Sequence, residues 1–136
     1  MIYSGRCLCE SIQFEIGAKD PLSFGHCHCS ACRKSHGADF TSATMVKENS
    51  LRIVRGADLL TSFRSSSHME RQFCSCCGSR LFVRFVRKET QSEAAQIIFT
   101  VAINCLDRID NWRDTGNIFV GDKAPWHEQA GDKPAA

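Results

Sequence analysis

Residues 25–32 read Gly25-His26-Cys27-His28-Cys29-Ser30-Ala31-Cys32 and carry three thiols in the pattern Cys-x-Cys-x-x-Cys. On an extended segment side chains alternate with period two, so Cys27 and Cys29 point to one face. A turn after Cys29 then returns the Cys32 sulfur toward the same point. Three soft ligands converging from so short a run suit zinc, with Zn–S bonds of about 2.3 Å. They also leave one tetrahedral position open. Structural zinc sites are normally closed by four ligands, whereas catalytic sites keep a place for water or substrate.

The other cysteines fall in two further places. Cys7-Leu8-Cys9 is a second Cys-x-Cys pair, and Cys74-Ser75-Cys76-Cys77-Gly78 contains a Cys-x-x-Cys step followed by glycine. That step has the form of a zinc knuckle, in which Gly78 takes the positive φ such a turn often needs. Cys76 lies inside the knuckle as a spectator, and Cys105 follows an apolar strand as a small core or edge residue. The nine cysteines are an odd number and cluster at metal-ligand spacings, which argues for metal over a disulfide framework.

Spacing alone leaves two ligand arrangements open. In one, Cys7, Cys9, Cys74 and Cys77 make a closed four-thiolate site, and Cys27, Cys29 and Cys32 make an open three-thiolate one. In the other, Cys27, Cys29, Cys74 and Cys77 share a single zinc, which gives Cys7, Cys9 and Cys32 no role.

The elements that must position these thiols are mostly strands. Residues 11–16, with Ile12, Phe14 and Ile16 alternating against polar neighbours, read as a half-buried strand. Residues 22–29 form a short strand entering the central cluster. Residues 30–36 make one helical turn, with Ser30 as N-cap and Gly37 as the stop. Further strands are expected over 40–46, 51–54, 59–64, 81–86, 97–103 and 117–120, with a polar connection at 88–94. Residues 65–67 are a serine loop, and the chain after Asp107 reads as turns. There are no repeats, no linker and no long amphipathic helix, so the fold class is mainly β in one domain over 1–126, followed by a flexible tail over 127–136.

Composition narrows the function. The chain has 136 residues, 17 basic and 15 acidic side chains and a formal charge of +2. That balance argues against a nucleic-acid surface. No apolar run is long enough to span a membrane. The start of the chain lacks the charged and apolar regions of a signal peptide, which places the protein in the cytoplasm, where thiols stay reduced.

Three stretches together resemble the glutathione-dependent formaldehyde-activating enzyme family: Gly5-Arg6-Cys7-Leu8-Cys9, then Cys27-His28-Cys29-Ser30-Ala31-Cys32-Arg33-Lys34, then Arg71-Gln72-Phe73-Cys74-Ser75-Cys76-Cys77-Gly78-Ser79-Arg80-Leu81. Asn117-Ile118-Phe119 and Lys123-Ala124-Pro125-Trp126 are similar to its C-terminal signature. The resemblance implies the Mss4-like fold, short coiled β-sheets pinned by zinc. It also implies a structural zinc on Cys7, Cys9, Cys74 and Cys77 and a catalytic zinc on Cys27, Cys29 and Cys32. The sequence departs from the family at Glu10, where glycine is usual, which suggests a changed loop beside the structural site.

The reaction implied is carbon–sulfur lyase chemistry: addition of the glutathione thiol to formaldehyde, giving S-hydroxymethylglutathione, and its reversal. An open zinc suits it, because coordination ionises a thiol or polarises a carbonyl at neutral pH. His26 and His28 face away from the Cys27–Cys29 side in an extended segment and take supporting or surface positions. Arg33, Lys34, Arg64 and Arg71 are candidates for a glutathione carboxylate, and Trp126 is a candidate packing lid. Two other classes compete. One is a zinc-stabilised binding module without catalysis. The other is a thiol redox enzyme, for which Cys105 lacks an electropositive setting.

Overall fold

The computed structural model describes residues 1–88, 90 and 94–127. Residues 128–136, most of the expected tail, lie outside the described residues, as does most of the polar connection after Lys88. The strands are β1 (Ile2–Arg6), β2 (Gln13–Gly17), β3 (Ser23–Cys27), β4 (Thr41–Lys47), β5 (Leu51–Arg55), β6 (Leu60–Arg64), β7 (Met69–Cys74), β8 (Arg80–Arg87), β9 (Gln96–Ala102) and β10 (Arg113–Ile118). Among the described residues there is one α-helix, α1 (Ser30–His36), which follows β3. The fold is mainly β, as the sequence pattern indicates, and Mss4-like, as the family resemblance implies.

The strands form two open sheets. One has three strands in the order β1-β2-β5, and the other has seven in the order β10-β3-β4-β9-β8-β7-β6. All neighbouring pairs are antiparallel except β10 with β3. In β2 the alternation is clean: Phe14 and Ile16 are buried, Gln13 and Glu15 are half-buried and Gly17 is exposed. Phe14 meets Phe82 of β8 edge to face, with ring centroids 4.9 Å apart, so the small sheet packs on the large one. Ile12, Leu81 and Val101 complete this core with almost no exposed surface. Each such side chain contributes roughly 1.5–3 kcal/mol by leaving water.

Three expectations change. β1 and β7 are strands that the sequence pattern does not mark, and β10 begins at Arg113 inside the stretch read as turns. α1 spans the expected residues, but its N-cap is Cys29, whose sulfur accepts a hydrogen bond from the Cys32 N–H at 3.4 Å, while Ser30 is the first helical residue. Gly37 closes the helix in the left-handed conformation, with φ of 62°.

Glu10 lies in the turn joining β1 to β2 with φ of 65°. The left-handed backbone that favours glycine is therefore kept with a glutamate in it. Arg6 holds the Glu10 carboxylate at 2.6 Å on the exposed surface, a contact worth only about 0–1 kcal/mol. Replacing Glu10 by glycine or by alanine removes that contact equally, but only glycine relieves the strain. Glu10→Gly is expected to exceed Glu10→Ala in stability by about 1 kcal/mol. Thermal melts of the two variants check this, and equal melting temperatures would remove strain from the account.

Candidate metal centres

Two sulfur clusters stand out, each within 4.8 Å internally: Cys7, Cys9, Cys74 and Cys77, and separately Cys27, Cys29 and Cys32. The single site shared by Cys27, Cys29, Cys74 and Cys77 is not the grouping observed. None of the nine cysteines is in a disulfide.

The first cluster joins two turns. Cys7 and Cys9 lie in the turn between β1 and β2 of the small sheet. Cys74 ends β7, and Cys77 lies in the turn leading to β8 of the large sheet. The Gly78 N–H closes that turn on the Cys74 carbonyl at 2.8 Å, and Gly78 has φ of 75°. Sulfur separations are 3.6 Å for Cys7–Cys9 and 3.9 Å for Cys9–Cys74. Four sulfurs at zinc-bond length from one centre would stand about 3.8 Å apart, so the donor set fits zinc. The Ile12 N–H reaches the Cys7 sulfur at 3.3 Å, and the Ser79 hydroxyl lies 3.2 Å from Cys77. That hydroxyl holds the Cys77 thiol down to about 5, whereas burial pushes Cys74 up to about 11. Thiols this close resist ionising together, and a divalent cation would remove that penalty.

The second cluster is held near the β10 edge of the large sheet. Cys27 ends β3, paired with Thr41 of β4 on one side and Ile118 of β10 on the other. Cys29 caps α1, and Cys32 lies in its first turn. Burial pushes the Cys27 thiol up to about 12. Burial also opposes ionisation of Cys29, but hydrogen bonds from Cys32 and Cys27 outweigh it and lower this thiol. Among the described residues, no fourth histidine, cysteine or carboxylate joins the group. Its donor set fits a metal with an open position.

The surrounding candidates sort themselves by burial. His28 is fully buried, not a surface residue: its Nε2 lies 2.8 Å from Asn117 Oδ1 and its ring packs beside Phe40 and His127. His26 is clamped between Ser42 Oγ at 2.7 Å and Asp114 Oδ2 at 2.8 Å, tying β3 to β4 and β10. Trp126 is not a packed lid. It is 69% exposed and donates through Nε1 to Asp39. His127, read as the start of the tail, has its ring nitrogen 3.4 Å from the same carboxylate.

Of the four basic candidates, Lys34 is exposed, Arg64 pairs with Glu70 on the surface, and Arg33 reaches back to the His28 carbonyl. Only Arg71 is buried, and it directs Nη1 toward the Cys32 sulfur at 4.0 Å. Arg80 also stands near Cys32 and Arg71, and sequence reasoning missed it. Its one signal was its place immediately after the Gly78-Ser79 step. Cys76 is exposed. Cys105 is half-buried against the core, gives its S–H to the Arg80 carbonyl, and is pushed up to about 11 by burial. That is the setting of an inert thiol.

Residues 2–122 match the family described as glutathione-dependent formaldehyde-activating enzyme. The chain belongs to this family. Among curated relatives, a Halomonas elongata protein named "Putative glutathione-dependent formaldehyde-activating enzyme" is 31% identical over 61% of this chain and 56% of its own length. A Fusarium vanettenii protein of the same name is 29% identical over 70% of this chain and 51% of its own. An uncharacterized lyase of Schizosaccharomyces pombe is 30% identical over 61% and 58%. The chain thus spans little more than half the length of these relatives. A crystal structure of a Rhodobacter sphaeroides protein shares the fold, with a TM-score of 0.59 and 23% identity over 80% of this chain and 98% of that one. The two sulfur clusters are compatible with zinc. Among the described residues no helix is long and apolar enough to cross a membrane.

Proposed function

We propose that the protein is a zinc-dependent carbon–sulfur lyase that adds the thiol of glutathione, or a related thiol, to formaldehyde and reverses the addition. The reading takes Cys7, Cys9, Cys74 and Cys77 as the holders of a structural zinc. It takes Cys27, Cys29 and Cys32 as the holders of a catalytic one. Residues 1–126 then act as one domain. Nine unpaired cysteines support a reducing, cytoplasmic setting.

The observation that carries the proposal is the three-sulfur cluster without a fourth protein ligand among the described residues. A zinc held there supplies a Lewis acid able to ionise a thiol or polarise an aldehyde oxygen. The chain does the rest. Cys27 is fixed by strand pairing on both sides, and Cys29 by its capping bond to the Cys32 N–H. The Arg71 guanidinium offsets thiolate charge at Cys32. In the addition the sulfur lone pair forms the new bond to carbon, the carbonyl π pair moves to oxygen, and the proton lost from the thiol is matched by one gained at that oxygen.

Exchange of carbon-13 formaldehyde with its glutathione adduct, followed by magnetisation-transfer NMR, tests the proposal. The zinc-loaded protein is expected to raise the exchange rate at least tenfold above the uncatalysed rate, with loss of the gain on chelation. An unchanged rate despite saturable glutathione binding would instead support a binding module.

A further inference from the structure

Two arginines face the open sulfur cluster, and among the described residues neither has a carboxylate partner. Arg71 is 6% exposed, bonded through Nε to Ser65 Oγ at 3.2 Å and through Nη1 to the Cys32 sulfur. Arg80 packs its guanidinium over the Phe73 ring, 5.9 Å from the centroid, and leaves Nε and Nη2 buried without any hydrogen-bond partner. A buried guanidinium nitrogen without an acceptor is costly. Such groups call for an acceptor, whether water, an ion or a ligand.

The placement has a cause in the sheet. The β7–β8 register shifts between Gln72, paired with Phe82, and Phe73, paired with Arg80, so Leu81 is the extra residue. Without that bulge, Leu81 would stand opposite Phe73 and Arg80 would turn to the other face. The bulge puts Arg71, Phe73 and Arg80 on one face, near Cys32 and His36 of α1. His36 adds no positive charge at neutral pH, because burial and then the Arg80 and Arg71 cations push it down to about 4. Three thiolates with a divalent ion carry one negative charge, whereas the two guanidiniums carry two positive ones. With such an ion held there, one positive charge would be left over beside the sulfur cluster.

We propose that Arg71 and Arg80 form an anion subsite that takes the carboxylate of the thiol substrate while its sulfur occupies the Cys27–Cys29–Cys32 centre. This rests on the thiol–aldehyde reading above and narrows its substrate to anionic thiols. The planar guanidinium of Arg80 offers two nitrogens, Nε and Nη2, in the geometry that matches a carboxylate edge.

The test is calorimetry on the zinc-loaded protein with two thiols of equal length, 3-mercaptopropionate and the neutral 3-mercapto-1-propanol. The acid is expected to bind about tenfold to a hundredfold more tightly, as a charge-assisted bond allows. Arg80→Met, which keeps the apolar stem over Phe73, should bring the ratio to within about twofold and leave the neutral thiol unaffected. Equal binding of the two thiols to the parent protein overturns the subsite and leaves the thiol site standing. An advantage that persists in Arg80→Met also overturns it, because a carboxylate chelating the metal would behave that way. If neither thiol binds, the thiol–aldehyde reading fails and the subsite fails with it. The parent comparison needs no variant, so a poorly folding Arg80→Met does not protect the proposal.

Discussion

Cys74→Ser is expected to yield an insoluble protein or one melting on the order of 20 °C below the parent. Cys74 has no exposed surface and ends β7 at the edge of the turn that carries Cys77. Its sulfur stands 3.9 Å from Cys9, 65 residues earlier in the chain and in the turn joining β1 to β2 of the small sheet. A metal held by these four thiols joins the two sheets at their turns and removes freedom from a long loop of the unfolded chain. Apparent zinc-binding energies of about 10–16 kcal/mol in finger peptides match or exceed the stability of a typical domain, about 5–15 kcal/mol. Losing one of four ligands need remove only a fraction of that to unfold most molecules. The serine hydroxyl also adds a polar group at a position without exposed surface. Circular dichroism melts with zinc content measured on the same samples check the outcome. A variant that binds one zinc fewer yet melts with the parent would show that the sheets do not depend on this site.

The clusters were legible because ligand spacing is local: Cys-x-Cys and Cys-x-x-Cys write their geometry into a few residues. The closure of Cys7 and Cys9 on Cys74 and Cys77 was one of two arrangements that spacing left open, and the family resemblance implied it, since nothing in residues 7–9 by itself names 74–77 as neighbours. The unmarked strands have particular causes. β1 points Tyr3 and Gly5 inward, and Gly5 shows no apolar signal because the Phe14 ring fills its place: a Cβ there would lie 2.3 Å from Phe14 Cζ. β7 reads Met69-Glu70-Arg71-Gln72-Phe73-Cys74, and its buried Arg71 and Gln72 look like surface residues by type. Arg80 was missed because a bulge reassigns faces, and a period-two reading cannot see a bulge. His28 was legible as facing away from the sulfurs, but its burial depends on Asn117, Phe40 and His127 arriving from elsewhere in the chain. In each case the missing information was a long-range contact.

Cys29→Ser is expected to behave in the opposite way to Cys74→Ser: folded, with one zinc fewer, and without adduct exchange above the uncatalysed rate. The fold should survive because the residue's local structural task is to cap α1 by accepting from the Cys32 N–H. Serine is among the preferred N-cap residues and takes that bond over with its hydroxyl oxygen. Residues 27–32 are also near neighbours, so a metal bound there closes only a short loop and constrains the unfolded chain little. The melting temperature should therefore stay within about 5 °C of the parent. The chemistry should not survive. A neutral hydroxyl is a far poorer zinc donor than a thiolate, and two remaining sulfurs leave the site short of the three protein ligands that catalytic zinc centres use. Loss of the whole protein-dependent gain in exchange, with zinc falling from two equivalents to one, separates this site from the first. Should Cys29→Ser collapse while Cys74→Ser melts like the parent, the structural and catalytic roles are reversed.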